Sequence, residues 1–311
     1  GRGPQRPRPF FFSCGTFPGM NLRSVFPPMP TPFADGELDR TAIQGNVRRW
    51  IAAGLGGVVA LGTNGEAPLL DDDESDAVVA TARQEVPADR TLIVGVGRES
   101  TRATIAAARR AAAAGADAVL VRTPSFYRAH VSVSALVAHY TAVADASPVP
   151  VLLYNYAAFT GVNMTPETIA RLAAHPNVVG LKETTTDGAQ FVELAAAVPR
   201  DFSVLAGSAP GAYTAFCAGA AGAILAVACV RPSLCLRLRS LVLEGRHAEA
   251  LAIQQRLTPL ARAVTTGFGI AGLKAAMDLS NLTGGDPRPP LSPLAPDALQ
   301  KIRTLLHDTA D

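Results

Sequence analysis

The sequence predicts a (β/α)8 barrel followed by a C-terminal helical extension. Three observations carry that prediction. Eight short runs rich in β-branched residues alternate with Ala-rich helical stretches. Most of those runs are apolar throughout, as strands are when both faces are covered. The main competitor, a doubly wound open sheet, would bring a dinucleotide or phosphate fingerprint, and none is present. Gly95-Val96-Gly97 lacks the third glycine and reads as a strand-to-helix turn capped by Ser100.

The predicted strands span residues 25–29, 57–61, 91–96, 118–122, 149–154, 178–182, 202–206 and 223–227. The helices between them span 39–53, 72–85, 100–114, 132–146, 166–174, 187–198 and 211–218. The first has Ile43, Val47, Trp50 and Ile51 on one face, and several open on a capping Ser, Thr or Asp. Gly115 and Gly219 follow their helices as C-terminal glycines do. Segments 232–244, 248–265, 269–281 and 296–307 read as further helices, more than a barrel needs for closure. The organisation expected is therefore a leader over residues 1–20, a barrel over 21–230 and a helical extension over 231–311.

The 311 residues are 48% hydrophobic and 17% charged, an ordinary globular composition with a generous core. A net charge of +2 gives no field that argues for nucleic acid or an anionic membrane. No apolar stretch reaches the ~18 residues of a membrane span. Cys14, Cys217, Cys229 and Cys235 form no Cys-x-x-Cys pair, and the five histidines are scattered, so no metal and no cofactor is expected. Idle thiols suit a reducing compartment, and a cytoplasmic location is expected. Residues 1–19 are basic and contain no acid, and Met20 reads as the natural start. A mitochondrial leader is the alternative, opposed by Pro4, Pro7 and Pro9, which break the amphipathic helix it needs.

Lys182 is the residue with the clearest chemical meaning. It ends the apolar run Val178-Val179-Gly180-Leu181 and meets a polar turn, Glu183-Thr184-Thr185-Thr186-Asp187. Burial at such a place disfavours the ammonium form, and a neutral amine can attack a ketone to form a Schiff base. In a barrel, chemistry sits at the C-terminal strand ends, so other groups should converge there. The second strand ends in Gly62-Thr63-Asn64-Gly65-Glu66, whose glycines and hydroxyl suit a small anion. A plain turn, with Asn64 in an unusual φ and Glu66 as a structural acceptor, is the competing reading. The fifth strand ends in Tyr154-Asn155-Tyr156, and Tyr154 can relay a proton while Tyr156 fills the mouth. The loop after the fourth strand carries Phe126 and Tyr127, aromatics suited to substrate or a second subunit. Gly207 opens Gly207-Ser208-Ala209-Pro210-Gly211, where barrels hold anions, but no lysine or arginine accompanies it. Asp71-Asp72-Asp73-Glu74 looks metal-like but opens a helix, where acids belong.

Together, Gly-Thr63-Asn64-Gly-Glu, Leu-Tyr154-Asn and Gly-Leu-Lys182-Glu-Thr resemble the dihydrodipicolinate synthase/N-acetylneuraminate lyase family, in order over nearly the whole chain from Ser24. The resemblance implies a barrel with a helical extension, usually a homotetramer, that joins a lysine to a 2-oxo acid, usually pyruvate. It implies that Lys182 forms the imine, Tyr154 shuttles protons, and Thr63 and Asn64 hold the pyruvyl carboxylate. Thr184 and Gly207 would line the substrate, and Tyr127 or Phe126 would reach a neighbouring subunit. Synthases carry an arginine shortly after the strand-five tyrosine, where this chain has Phe159, and a threonine at Asn64. Asn64, Gly97-Arg98-Glu99-Ser100-Thr101 and Phe268-Gly269-Ile270-Ala271-Gly272-Leu273-Lys274 look more like the 4-hydroxy-2-oxoglutarate aldolase branch. The expectation is a metal-independent lyase releasing pyruvate and an aldehyde such as glyoxylate. Alternatives are a keto-deoxy sugar acid aldolase or dehydratase, 4-hydroxy-tetrahydrodipicolinate synthase, and an inactive barrel that serves as a ligand-binding or scaffold protein.

Overall fold

The computed structural model of the protein describes residues 20–310. The leader reading and Cys14 lie outside the described residues. The barrel opens with β1 (Val25–Phe26), followed by an antiparallel hairpin, β2 (Phe33–Ala34) and β3 (Glu37–Leu38). Seven parallel strands follow: β4 (Gly57–Ala60), β5 (Thr91–Gly95), β6 (Ala118–Arg122), β7 (Val151–Asn155), β8 (Val178–Glu183), β9 (Ser203–Ala206) and β10 (Gly222–Ile224). From β4 to β10 each strand pairs with its sequence neighbour, and β1 pairs with β10. A parallel bridge from Pro28 to Val59, with Met29 N–H donating to the Val59 carbonyl at 3.0 Å, closes the ring. The first strand is shorter than predicted because Pro27 and Pro28 have no N–H to give a ladder.

The outer ring is α1 (Arg40–Ala52), α2 (Asp72–Glu85), α3 (Thr101–Ala113), α4 (Val133–Ala146), the short α5 (Ala157–Thr160), α6 (Pro166–Ala173), α7 (Gly188–Ala197) and α8 (Ala212–Cys217). Side chains of Asp39, Asp71, Ser100, Ser132, Thr165 and Asp187 accept from backbone N–H groups at the starts of six of them. Such caps satisfy donors that a helix leaves open. Four more helices follow β10: α9 (Pro232–Leu243), α10 (His247–Arg262), α11 (Gly269–Asp278) and α12 (Pro296–Asp308). A π-helical turn over Ala263–Gly267 interrupts the helix expected across 248–265, and residues 226–229 form a 3-10 turn where strand was expected.

Two apolar layers follow from the strand period of two. Phe26, Val59, Ile93, Leu120, Leu152, Tyr154, Leu205 and Ile224 point into the barrel. Their chain neighbours, among them Val58, Leu92, Val119, Leu153 and Leu181, face the helices. Among the described residues, no helix is long and apolar enough to cross a membrane.

Candidate active site

Leu181 belongs to the outer layer, so the alternation of β8 turns Lys182 into the barrel at its C-terminal end. Its strand partner is Tyr154 on β7. The Lys182 amine lies 4.2 Å from the centre of the Tyr154 ring, and the residue is only 4% exposed. Burial alone brings its pKa down to about 7. The ring face favours the ammonium form, yet the loss of water outweighs it. At neutral pH a large fraction of the amine is therefore free to act as a nucleophile.

Tyr154 and Thr63 are joined by a hydrogen bond of 3.1 Å between hydroxyls. Burial raises the phenol well above its ordinary range, with the Thr63 bond opposing. A phenol that stays protonated can accept a proton only while passing its own onward, and the Thr63 hydroxyl is the group within hydrogen-bond reach. Thr63, half-buried with Asn64, begins a 3-10 turn over Thr63–Gly65 directly after β4. The strained backbone of this turn is not at Asn64, where the competing plain-turn reading put it. Leu61 (φ 54) and Glu66 (φ 56) adopt the left-handed conformation on either side. Thr31 Oγ1 donates to the Gly65 carbonyl at 2.7 Å and holds the turn from below.

Glu183, the next residue on β8, faces away from the barrel. Its carboxylate accepts from Asn155 Nδ2 and from the Thr185 N–H, both at 2.8 Å. Burial raises its pKa, against the Asn155 and backbone hydrogen bonds. Asn155 also accepts from the Met164 N–H at 3.0 Å, so one amide fastens β7, β8 and the loop before α6. Thr184 Oγ1 donates to the Asn155 carbonyl at 2.7 Å, which fixes the hydroxyl two residues beyond the lysine. Gly207 is accounted for by packing. Its N–H bonds the Glu183 carbonyl at 2.6 Å, and a Cβ there would fall 2.8 Å from the same oxygen.

Outward from Tyr154, Tyr156 stacks at 5.8 Å between ring centres, and Phe159 follows at 4.5 Å from Tyr156. Phe126 and Tyr127 are 78% and 69% exposed and touch each other edge-on. Both stand in solvent on the loop after β6 in the single chain. Glu99, which the sequence did not single out, anchors their loop by accepting from the Ser125 and Phe126 N–H groups at 2.8 and 2.9 Å. Burial pushes its carboxyl up, but those amides and Arg122, 2.8 Å away, bring it down to about 2. The buried pair of Glu66 and Lys274 was also missed as a pair. A lysine inside the apolar stretch Ile270–Met277 was the available signal.

Asp71 and Glu74 form a reciprocal capping box at the start of α2, and Glu74 also pairs with Arg288 at 2.6 Å. Among the described residues, no cluster of His, Cys, Asp or Glu could hold a metal ion.

Comparison with known proteins gives a consistent picture. The sequence model described as the Dihydrodipicolinate synthetase family matches residues 21–309. A 4-hydroxy-tetrahydrodipicolinate synthase of Roseobacter denitrificans is 35% identical over 274 residues, covering 88% of this chain and 94% of that protein. An uncharacterized DapA-like lyase of Halobacterium salinarum is 37% identical over 294 residues, covering 93% and 94%. The chloride-inhibited dihydrodipicolinate synthase of Acinetobacter baumannii, solved in complex with pyruvate, superposes with a TM-score of 0.87 at 28% identity, over 92% of this chain and 98% of that one.

Proposed function

The chain belongs to the dihydrodipicolinate synthetase family, and from that premise we propose a metal-independent class I aldolase. It cleaves a 4-hydroxy-2-oxo acid, first of all 4-hydroxy-2-oxoglutarate, to pyruvate and an aldehyde, here glyoxylate. One observation carries this reading: a buried lysine with its pKa near 7 lies against a tyrosine that is hydrogen-bonded to Thr63. The Acinetobacter relative, crystallised with pyruvate, supports the choice of ketone.

In the proposed reaction, the Lys182 amine adds to the C2 carbonyl and water leaves, giving a protonated imine. The Thr63 and Asn64 donors hold the carboxylate. The C3–C4 bond breaks with its electron pair drawn into the imine, which becomes an enamine. Tyr154 takes the C4 hydroxyl proton as it passes its own through the Thr63 hydroxyl to water, and the aldehyde departs. The enamine C3 then takes a proton back along the same relay, and addition of water to the imine returns Lys182 and releases pyruvate. Thr184, held beside the lysine, would bond the reacting hydroxyl, and Gly207 would keep that wall of the site flat.

Phe159 offers no charge where synthases hold the second substrate's carboxylate, which favours the aldolase branch. A carboxylate on the aldehyde half would instead meet Arg128. A Cβ at Gly161 would fall 2.8 Å from Arg128 Cδ and 3.4 Å from its Nη1, so this side chain covers the turn just beyond Phe159. The names of the relatives favour a second reading, 4-hydroxy-tetrahydrodipicolinate synthase. As part of the proposal, Phe126 and Tyr127 meet a neighbouring subunit in a homotetramer, and the enzyme works in the cytoplasm. Light scattering checks the assembly.

The test is borohydride reduction with labelled pyruvate, followed by aldehyde profiling in the condensation direction. Label is expected on Lys182 and nowhere in Lys182→Ala. No label on folded protein would sink the Schiff-base reading, and turnover of aspartate semialdehyde without glyoxylate would select the synthase.

A further inference from the structure

Lys274, on α11, is wholly excluded from water and has no part in the reaction above. Its amine lies 2.6 Å from Glu66 Oε1 and donates to the Asp286 carbonyl at 2.9 Å. Glu66 is 1% exposed, and its other oxygen accepts from the Arg288 N–H at 2.7 Å. The Arg288 guanidinium forks onto Glu74 at 2.6 and 2.7 Å. Phe33 packs against both cations, 4.6 Å from the Lys274 amine and 4.2 Å from the Arg288 guanidinium. Helix α11 and the 284–290 loop thus reach across to the turn that bears Thr63 and Asn64.

Glu66 closes that turn. Its N–H donates to the Thr63 carbonyl at 3.3 Å, and its φ of 56 is a conformation a non-glycine residue holds only when its surroundings enforce it. What enforces it is the buried carboxylate, fixed from two sides by the C-terminal segment. We infer that Lys274 is a positioning residue, whose ion pair with Glu66 holds Thr63 and Asn64 against the substrate carboxylate. The helices beyond the barrel thereby set the geometry of the site. This rests on the reading that Thr63 and Asn64 bind that carboxylate.

The physical consequence is specific. Without Lys274, Glu66 loses the ion pair that fixes one of its oxygens; whether the carboxylate takes up a proton or turns toward water, the turn it closes loses that anchor. Thr63 and Asn64 move with it, whereas Lys182 and Tyr154, on the strands β8 and β7, stay in place. Binding of a carboxylate suffers, and the intrinsic reactivity of the lysine does not.

The experiment compares two ketones, labelled pyruvate and labelled acetone, in borohydride trapping of folded protein. In Lys274→Met, trapping of pyruvate is expected to slow about ten-fold or more, with acetone within about two-fold of wild type. Glu66→Gln/Lys274→Met leaves no charge buried and keeps the Arg288 bond, so it folds even where the single variant does not. It is expected to show the same discrimination at smaller size. General loosening of the fold would slow both ketones alike. That outcome in the double variant, or pyruvate trapped at the wild-type rate by either folded variant, overturns the inference. A wild-type protein that traps no pyruvate defeats the aldolase reading instead, which separates the two failures.

Discussion

Lys182 and Lys274 are both sealed from water, 4% and 0% exposed, yet the protein treats them in opposite ways. Lys274 has a carboxylate at 2.6 Å and a carbonyl at 2.9 Å. Lys182 has the face of a tyrosine and, among the described residues, no ion pair. One is held in an ion pair that ties two parts of the chain together, and Glu66 offsets part of the downward push that burial gives its pKa. The other is left uncompensated, and burial alone brings it to about 7. The difference teaches that a buried lysine is poised for chemistry by what is withheld from it. The same substitution at the two sites should therefore act with opposite sign.

The largest effect is expected at Lys182. Lys182→Met removes the proposed nucleophile and should lower turnover by at least ~10^4-fold, measured by pyruvate release. It should also raise stability, by about 1–4 kcal/mol at pH 7, because an amine that prefers water is replaced by an apolar chain of similar length. Chemical denaturation reads this directly, and a loss of stability would contradict the picture of an uncompensated amine. Tyr154→Phe comes next. Removal of the proposed relay hydroxyl should cost about 10^2–10^4-fold in turnover while Lys182 still traps pyruvate.

At Lys274 the sign reverses. Lys274→Met strands the Glu66 carboxylate and should cost about 3–5 kcal/mol of stability. Urea midpoints of the two methionine variants, run side by side, test the comparison: one should move up and the other down.

Much of this was legible in the sequence, for identifiable reasons. The inner strands announce themselves as apolar runs, because parallel strands with both faces covered have no polar side to interrupt them. Lys182 stands out because a charge ends such a run, and Tyr154 because a tyrosine ends the fifth apolar run at the barrel mouth; the structure then pairs the two in register. The Glu66–Lys274 pair was not legible: its partners are remote in sequence and no local period links them. The hairpin of β2 and β3 escaped because strands of two residues carry no alternation. The ends of β1 and β10 were misjudged where prolines and a 3-10 turn replaced ladder bonds.

The smallest effect is the pH dependence, and because burial lowers both lysines it is read against Lys182→Met. Only the neutral amine attacks a ketone, so pyruvate trapping should fall about ten-fold per pH unit below 7 and level off above it. Stability should follow the same group with the sign fixed by linkage. The folded pKa of about 7 lies below the ordinary lysine value of 10.5, so between these values the unfolded chain binds more protons. The cost of burying Lys182 is thus complete below about pH 7 and fades as pH rises toward 10.5. In Lys182→Met that rise should be absent, with whatever slope Lys274 contributes left behind. A wild-type stability curve whose slope across this window is unchanged by Lys182→Met would show that the amine is compensated after all, and the contrast between the two lysines would collapse.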